Sequence, residues 1–100
     1  MAVSPDTILV RSTEPVATTM VDGNVVVLSI RAGSYFDFNR VGSEIWTLLG
    51  EPQRVTRILD VLGQNYDVDR DTLTRDVVVF LQNLVEARLV SVLAPEEKTR

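Results

Sequence analysis

Asp22-Gly23 stands between two runs of β-branched and apolar residues, Val16–Val21 before it and Asn24 leading into residues 25–30 after it. A two-residue type I′ turn needs positive φ at both central positions, which Asp tolerates and Gly favours, so the pair predicts a β-hairpin. A second turn at Arg31-Ala32-Gly33-Ser34 leads into Tyr35-Phe36-Asp37-Phe38. Together the three runs predict an antiparallel meander. Side chains alternate along a strand, so Phe36 and Phe38 share one face of the last strand while Tyr35 and Asp37 share the other.

Past residue 38 the apolar period changes from two to that of a helix. Val41, Ile45, Leu48 and Leu49 follow Asn39, a good N-cap, and Gly50-Glu51-Pro52 stops the run. Val55, Ile58, Leu59 and Leu62 mark a second helix that residues 63–67 close with turn formers. Asp67, Asp69 and Asp71 offer caps and favourable charge for a third helix over residues 71–87, whose stripe is Leu73, Val77, Phe80, Leu81, Leu84 and Val85. Read alone, residues 77–81 suit a buried strand; the length of their context decides for a helix. Residues 89–93 read as extended, and so does a short segment at residues 7–11, framed by Pro5 and Pro15.

Strands first and helices after, without repeat or linker, predict an α+β domain: a three-stranded antiparallel sheet followed by three helices. Residues 1–15 form an N-terminal extension, 16–93 the domain and 94–100 a polar tail.

The chain of 100 residues has neither histidine nor cysteine. That removes Ser-His and thiol catalysis, zinc sites and haem ligation together, and no cofactor or metal is expected. Asp67-Val68-Asp69-Arg70-Asp71 imitates the start of a calcium loop, but Thr72 and Val78 occupy the positions that need Gly and Glu. Helix capping explains these carboxylates better. Glu44 with Glu86, or Asp60 with Asp76, would make an acid and base pair only if the fold brought them together, and no neighbouring residues supply the rest of an active site. A non-enzyme is expected. Ten Lys and Arg against fourteen Asp and Glu, a net charge of −4, argue against nucleic acid and anionic membranes. With no apolar span and no signal peptide at the start, the expected location is the cytoplasm.

Strands and three helices also suit a winged helix-turn-helix, whose third helix would enter the major groove. Its polar positions, Arg75, Asp76, Gln82, Asn83, Glu86 and Arg88, mix both charges where phosphates would approach. Val79 is an apolar residue on that polar face, flanked by Asp76, Asn83 and Glu86. It is either a scattered surface valine or one wall of a groove whose other wall is the strand from Tyr35 to Phe38. A strand ending a meander has an edge that can accept an extended peptide.

The ordered set Asp22-Gly23, Gly33-x-Tyr35-Phe36-x-Phe38-Asn39, Gly42-x-x-Ile45-Trp46-x-Leu48-Leu49, Ile58-x-x-x-Leu62, Tyr66-Asp67-Val68, Asp76-Val77-x-x-Phe80-Leu81-x-x-Leu84 and Leu89-Val90 resembles the PqqD-like family. Members bind leader peptides in the making of ribosomally synthesised, post-translationally modified peptides. The likeness is greatest to the stand-alone proteins of lasso-peptide pathways. Two positions depart from the pattern: Phe38, where Leu is frequent, and Gln53-Arg54, where a Ser or Thr cap is common. The resemblance implies a winged-helix-like fold, with the leader bound as an added strand against the third strand and third helix. Carried over, the peptide-binding residues are Ser34, Tyr35, Phe36, Asp37, Phe38, Asp76, Val77, Val79, Phe80 and Asn83. Ladder bonds would come from Tyr35 and Asp37 or from Phe36. The expected core includes Phe36, Phe38, Ile45, Trp46, Leu48, Ile58, Leu62, Leu81 and Leu84. The implied partners are a precursor leader, a leader peptidase and a macrocyclase; the alternative functions are a peptide chaperone for a radical enzyme of quinone-cofactor synthesis, or, from the residue pattern alone, an acidic winged-helix regulatory module.

Overall fold

The structure, a computed structural model, describes residues 3–13 and 15–93. Among them the elements in chain order are β1 (Ile8–Arg11), β2 (Val16–Val21), β3 (Asn24–Ser29), β4 (Tyr35–Asp37), α1 (Arg40–Leu48), β5 (Gln53–Arg54), α2 (Val55–Asn65), α3 (Arg70–Glu86) and β6 (Val90–Leu93). The expected tail at 94–100 lies outside the described residues.

The meander is present as an antiparallel sheet in the order β2-β3-β4. Asp22 and Gly23 have φ of 54° and 84°, so both turn positions are left-handed, as a type I′ turn requires. The β3–β4 turn closes where the Ser29 N–H donates to the Ser34 carbonyl at 2.8 Å, with Gly33 at φ 70°. Asn39 caps α1 by accepting from the Gly42 N–H (2.8 Å), and the Asp69 carboxylate caps α3 by accepting from the Thr72 N–H (3.1 Å). The acidic stretch before α3 thus acts through its caps.

Two boundaries differ from expectation. Helix α2 continues through Gly63 to Asn65, and the Tyr66 N–H still donates to the Leu62 carbonyl at 2.9 Å. Gly63 is therefore helical, held by a turn anchored on buried Leu62. Helix α3 begins one residue earlier than expected, at Arg70. It ends in a left-handed Arg88 (φ 64°), with the Leu89 N–H donating to the Leu84 carbonyl at 3.0 Å.

A second antiparallel sheet, β5-β1-β6, joins segments from the two ends of the chain and its middle. β1 pairs with β6 from Ile8↔Leu93 to Arg11↔Val90 and places Leu9 in the core, fully buried. No side chain caps α2. The Val55 N–H donates instead to the Thr7 carbonyl (3.0 Å) and the Thr56 N–H to the Pro5 carbonyl (3.1 Å). Backbone oxygens of the N-terminal segment do the work of the missing Ser or Thr, satisfying amides that every helix start leaves open.

The core gathers Leu9, Val27, Ile45, Leu49, Val55, Ile58, Leu59, Leu62, Val77, Leu81 and Leu89, with Phe38, Trp46 and Leu84 buried beside them. Phe36 and Leu48 are half-buried at its margin, because each also borders open surface. The helices lie beside the meander in an α+β arrangement loosely like a winged helix. Among the described residues no helix is long and apolar enough to cross a membrane.

Candidate functional site

Among the described residues strand β4 pairs with β3 alone, which leaves its other edge open. Which backbone groups point outward follows from the ladder. The Phe38 N–H donates to the Val25 carbonyl (3.0 Å), and Ser29 bonds Ser34, so residues 34, 36 and 38 turn toward β3. Tyr35 and Asp37 therefore direct their N–H and C=O groups to the open edge. The alternative, Phe36, is spent on the ladder.

A hydroxyl holds the end of this strand. The Val25 N–H donates to Ser43 Oγ at 2.8 Å, and Ser43 Oγ donates to the Phe38 carbonyl at 3.4 Å. Val25 and Phe38 face each other in register, so the Ser43 hydroxyl from α1 stands inside the ladder and completes it. This buried serine ties β3, β4 and α1 into one unit.

Between β4 and α3 lies a cleft of about 510 Å³ lined by Tyr35, Phe36, Asp37, Phe38, Phe80, Asn83 and Leu84. A second cleft of about 370 Å³ is lined by Asn39, Val41, Gly42, Ile45, Val68, Leu73, Asp76, Val77 and Phe80. Phe80 lines both, so its ring stands at the boundary between two neighbouring compartments. That ring is fixed from below: it packs edge-on against Phe38, centroids 5.3 Å apart, and Phe38 in turn lies 5.8 Å from Trp46. Gly42 makes the approach possible, since a Cβ there would stand 3.1 Å from the Phe80 ring and 3.2 Å from the Phe38 Cβ.

Of the residues expected at a peptide site, Tyr35, Phe36, Asp37, Phe38, Phe80 and Asn83 line the first compartment, and Asp76, Val77 and Phe80 the second. Ser34 and Val79 line neither. The Ser34 carbonyl closes the β3–β4 turn, and Val79 is 53% exposed, beside Asp76 and Asn83 but one helical step around α3 from Phe80. Leu84 and Ile45, expected as core only, reach the groove with one edge each. Asn39, Val41, Gly42, Val68 and Leu73 complete the second compartment; the sequence marked them as cap, stripe or family-pattern positions, not as site residues.

The carboxylates weighed as catalytic pairs have other partners. Glu44 accepts from Asn65 Nδ2 (2.5 Å) and from the Tyr66 hydroxyl (2.9 Å), tying α1 to the end of α2. Asp60 pairs with Arg70 at 3.1 Å. Burial raises the pKa of half-buried Tyr66 above its ordinary 10.0; its hydrogen bond to Glu44 and that carboxylate's charge add to the effect, and Arg40 opposes it. Among the described residues no group of three or more acidic side chains is placed to hold a metal ion. What the site offers chemically is an unpaired strand edge above an apolar floor.

The family model for coenzyme PQQ synthesis protein D, PqqD, matches residues 24–90. No curated protein matches the chain. Among solved structures, TbiB1 in complex with the TbiA(beta) leader peptide is 35% identical, with 91% of this chain and 99% of that one covered and a TM-score of 0.72. A lasso peptide synthetase B1 complexed with the leader peptide is 22% identical over 83% of this chain and 96% of that one, at a TM-score of 0.72. The PqqD truncation of Methylobacterium extorquens PqqCD, a recognition element for ribosomally synthesised and post-translationally modified peptides, is 24% identical over 90% and 95%, at a TM-score of 0.70. The last two show the shared fold.

Proposed function

The chain belongs to the PqqD family, and on that premise we propose that it is a non-catalytic adaptor that captures the leader segment of a precursor peptide. The leader adds to β4 as a further strand, and the attached core segment is presented to a leader peptidase and a macrocyclase in the cytoplasm. The observation that carries this reading is the pairing of an open edge, at Tyr35 and Asp37, with an apolar groove walled by α3. Backbone bonding of this kind gives affinity without a defined sequence, and the groove gives selectivity. Holding the leader raises the effective concentration of the core segment at the enzyme, so catalysis is left to the partner. The 35% identity to a protein solved with a leader peptide supports leader capture, and the resemblance to the stand-alone proteins of lasso-peptide pathways favours a lasso-peptide leader over a quinone-cofactor precursor.

Tyr35 and Asp37 supply the ladder bonds. Phe36, Phe38, Val77, Phe80 and Asn83 receive inward side chains, and Val79 forms the outer lip. Titration of an isolated leader peptide followed by amide shifts tests this. The expected shifts cluster in residues 34–38 and 76–83; shifts confined elsewhere refute the site. Val79→Asp places a charge on the lip and weakens capture while the domain stays folded.

A further inference from the structure

The ionised residues at the two compartments are Asp37 and Asp76, both carboxylates. Neither has an ion pair or side-chain hydrogen bond among the described residues. Strand alternation sends Asp37 out of the sheet face opposite the core, beside the open edge, where the outward side chains of an added strand would stand. Asp76 rises from α3 on the groove side, one turn before Phe80. The two carboxylates thus bracket the path of a guest on both of its faces.

The surroundings sharpen the sign. Val68, which lines the second compartment, is flanked in the chain by Asp67 and Asp69, and Asp71 follows in the first turn of α3. Arg70, the cation of that turn, reaches Asp60 instead. Arg40 adjoins the compartment but is close enough to Tyr66 to bear on its ionisation, and Arg75 lies 100° around the helix from Asp76. Of Asp67, Asp69 and Asp71, Asp69 is engaged by the Thr72 N–H and hydroxyl. Negative charge therefore exceeds positive charge along the groove.

We propose that the groove selects a basic guest: a peptide with Lys or Arg facing Asp37 across the strand pair and a second beside Asp76, with Asp and Glu excluded from both places. The proposal rests on the peptide-binding reading and adds the chemistry of the peptide. Opposite charges across a strand pair attract and like charges repel, and partly solvated pairs of this kind change affinity about two- to fivefold each.

Selection of short random peptides on the full chain at low salt, followed by fluorescence anisotropy of recovered peptides, provides the test. Recovered peptides should be enriched in Lys and Arg over Asp and Glu, and replacing their basic residues with Glu should weaken binding at least about fivefold. Asp37→Asn and Asp76→Asn should each cost about two- to fivefold, and together should abolish discrimination between the basic and acidic versions. Added salt should weaken wild type more than the double variant. Bound peptides without basic bias, or discrimination that survives in the double variant, overturn charge selection and leave strand capture standing. Recovery of no peptide overturns capture and selection together.

Discussion

Ser43→Ala removes the hydroxyl that completes the β3–β4 ladder, and its cost can be worked from the geometry. The Val25 N–H has its acceptor at 2.8 Å in Ser43 Oγ, while the onward bond to the Phe38 carbonyl is long, at 3.4 Å. The loss therefore falls mainly on the amide. Val25 is 5% exposed and Ser43 7%, so no bulk water stands ready to replace the hydroxyl. A buried donor left without a partner costs about 1–3 kcal/mol. In a chain of this size each kcal/mol lowers Tm by roughly 4–8 °C. Urea unfolding followed by the fluorescence of Trp46, the single tryptophan and a buried one, reads the change directly. Hydrogen exchange at the Val25 amide should accelerate with it, and peptide affinity should fall because the end of β4 is no longer fixed. A loss under about 0.5 kcal/mol with Val25 protection intact would refute the reasoning. It would mean that Val25 and Phe38 close the ladder bond directly and that the serine is not part of it.

Gly42→Ala gains about 1 kcal/mol of helix propensity but pushes a Cβ against Phe80 and Phe38, so the ring moves into the groove. Stability should change by less than about 1 kcal/mol while peptide affinity drops in calorimetric titration, and full affinity would count against Phe80 as the divider. Arg88→Gly relieves a left-handed residue at the end of α3 and should stabilise the domain by about 0.5–1 kcal/mol in urea unfolding. Tyr66 has a folded pKa above its unfolded one, so the folded state holds its proton longer; the contribution is complete below the unfolded value near 10.0 and is lost as pH rises through the folded one. Phenolate absorbance should show a late-titrating tyrosine, and Tyr66→Phe should flatten the alkaline fall in stability.

What the sequence disclosed divides along a physical line between local and long-range causes. Asp22-Gly23, Asn39 and the period of α1 to α3 act within a few residues, so the meander, the caps and the three helices are readable from spacing. The sheet β5-β1-β6 has no such signal, because Ile8, Arg54 and Leu93 meet only once the chain has folded. The caps that Pro5 and Thr7 give to α2 are invisible for the same reason: their donors lie some fifty residues away. Around the site, Val79 stood out as apolar on a polar face, whereas Gly42 and Val68 entered only as members of the family pattern, since their importance lies in what they let Phe80 and Asp76 border. The parity of β4 needed the Phe38 to Val25 bond, which no alternation of residue types encodes.

Among the described residues the meander has two open edges, and the difference between them favours β4 for the proposed capture. Strand β2 is twice as long as β4, yet residues 17–21 are all exposed, so an added strand there would bury little apolar surface. Strand β4 offers only the N–H and C=O groups of Tyr35 and Asp37. Net contributions of about 1 kcal/mol per backbone bond fall short of the roughly 1–2 kcal/mol lost in ordering each residue of a guest strand. Two or three apolar side chains, each contributing about 1.5–3 kcal/mol when buried, are needed to close the gap. Only beside β4, where Phe36, Phe80 and Leu84 form a floor, can inward side chains find that burial. Capture at the short edge, as proposed, would therefore depend on what lies beneath it, and a guest without correctly spaced apolar residues would gain too little from either strand to stay.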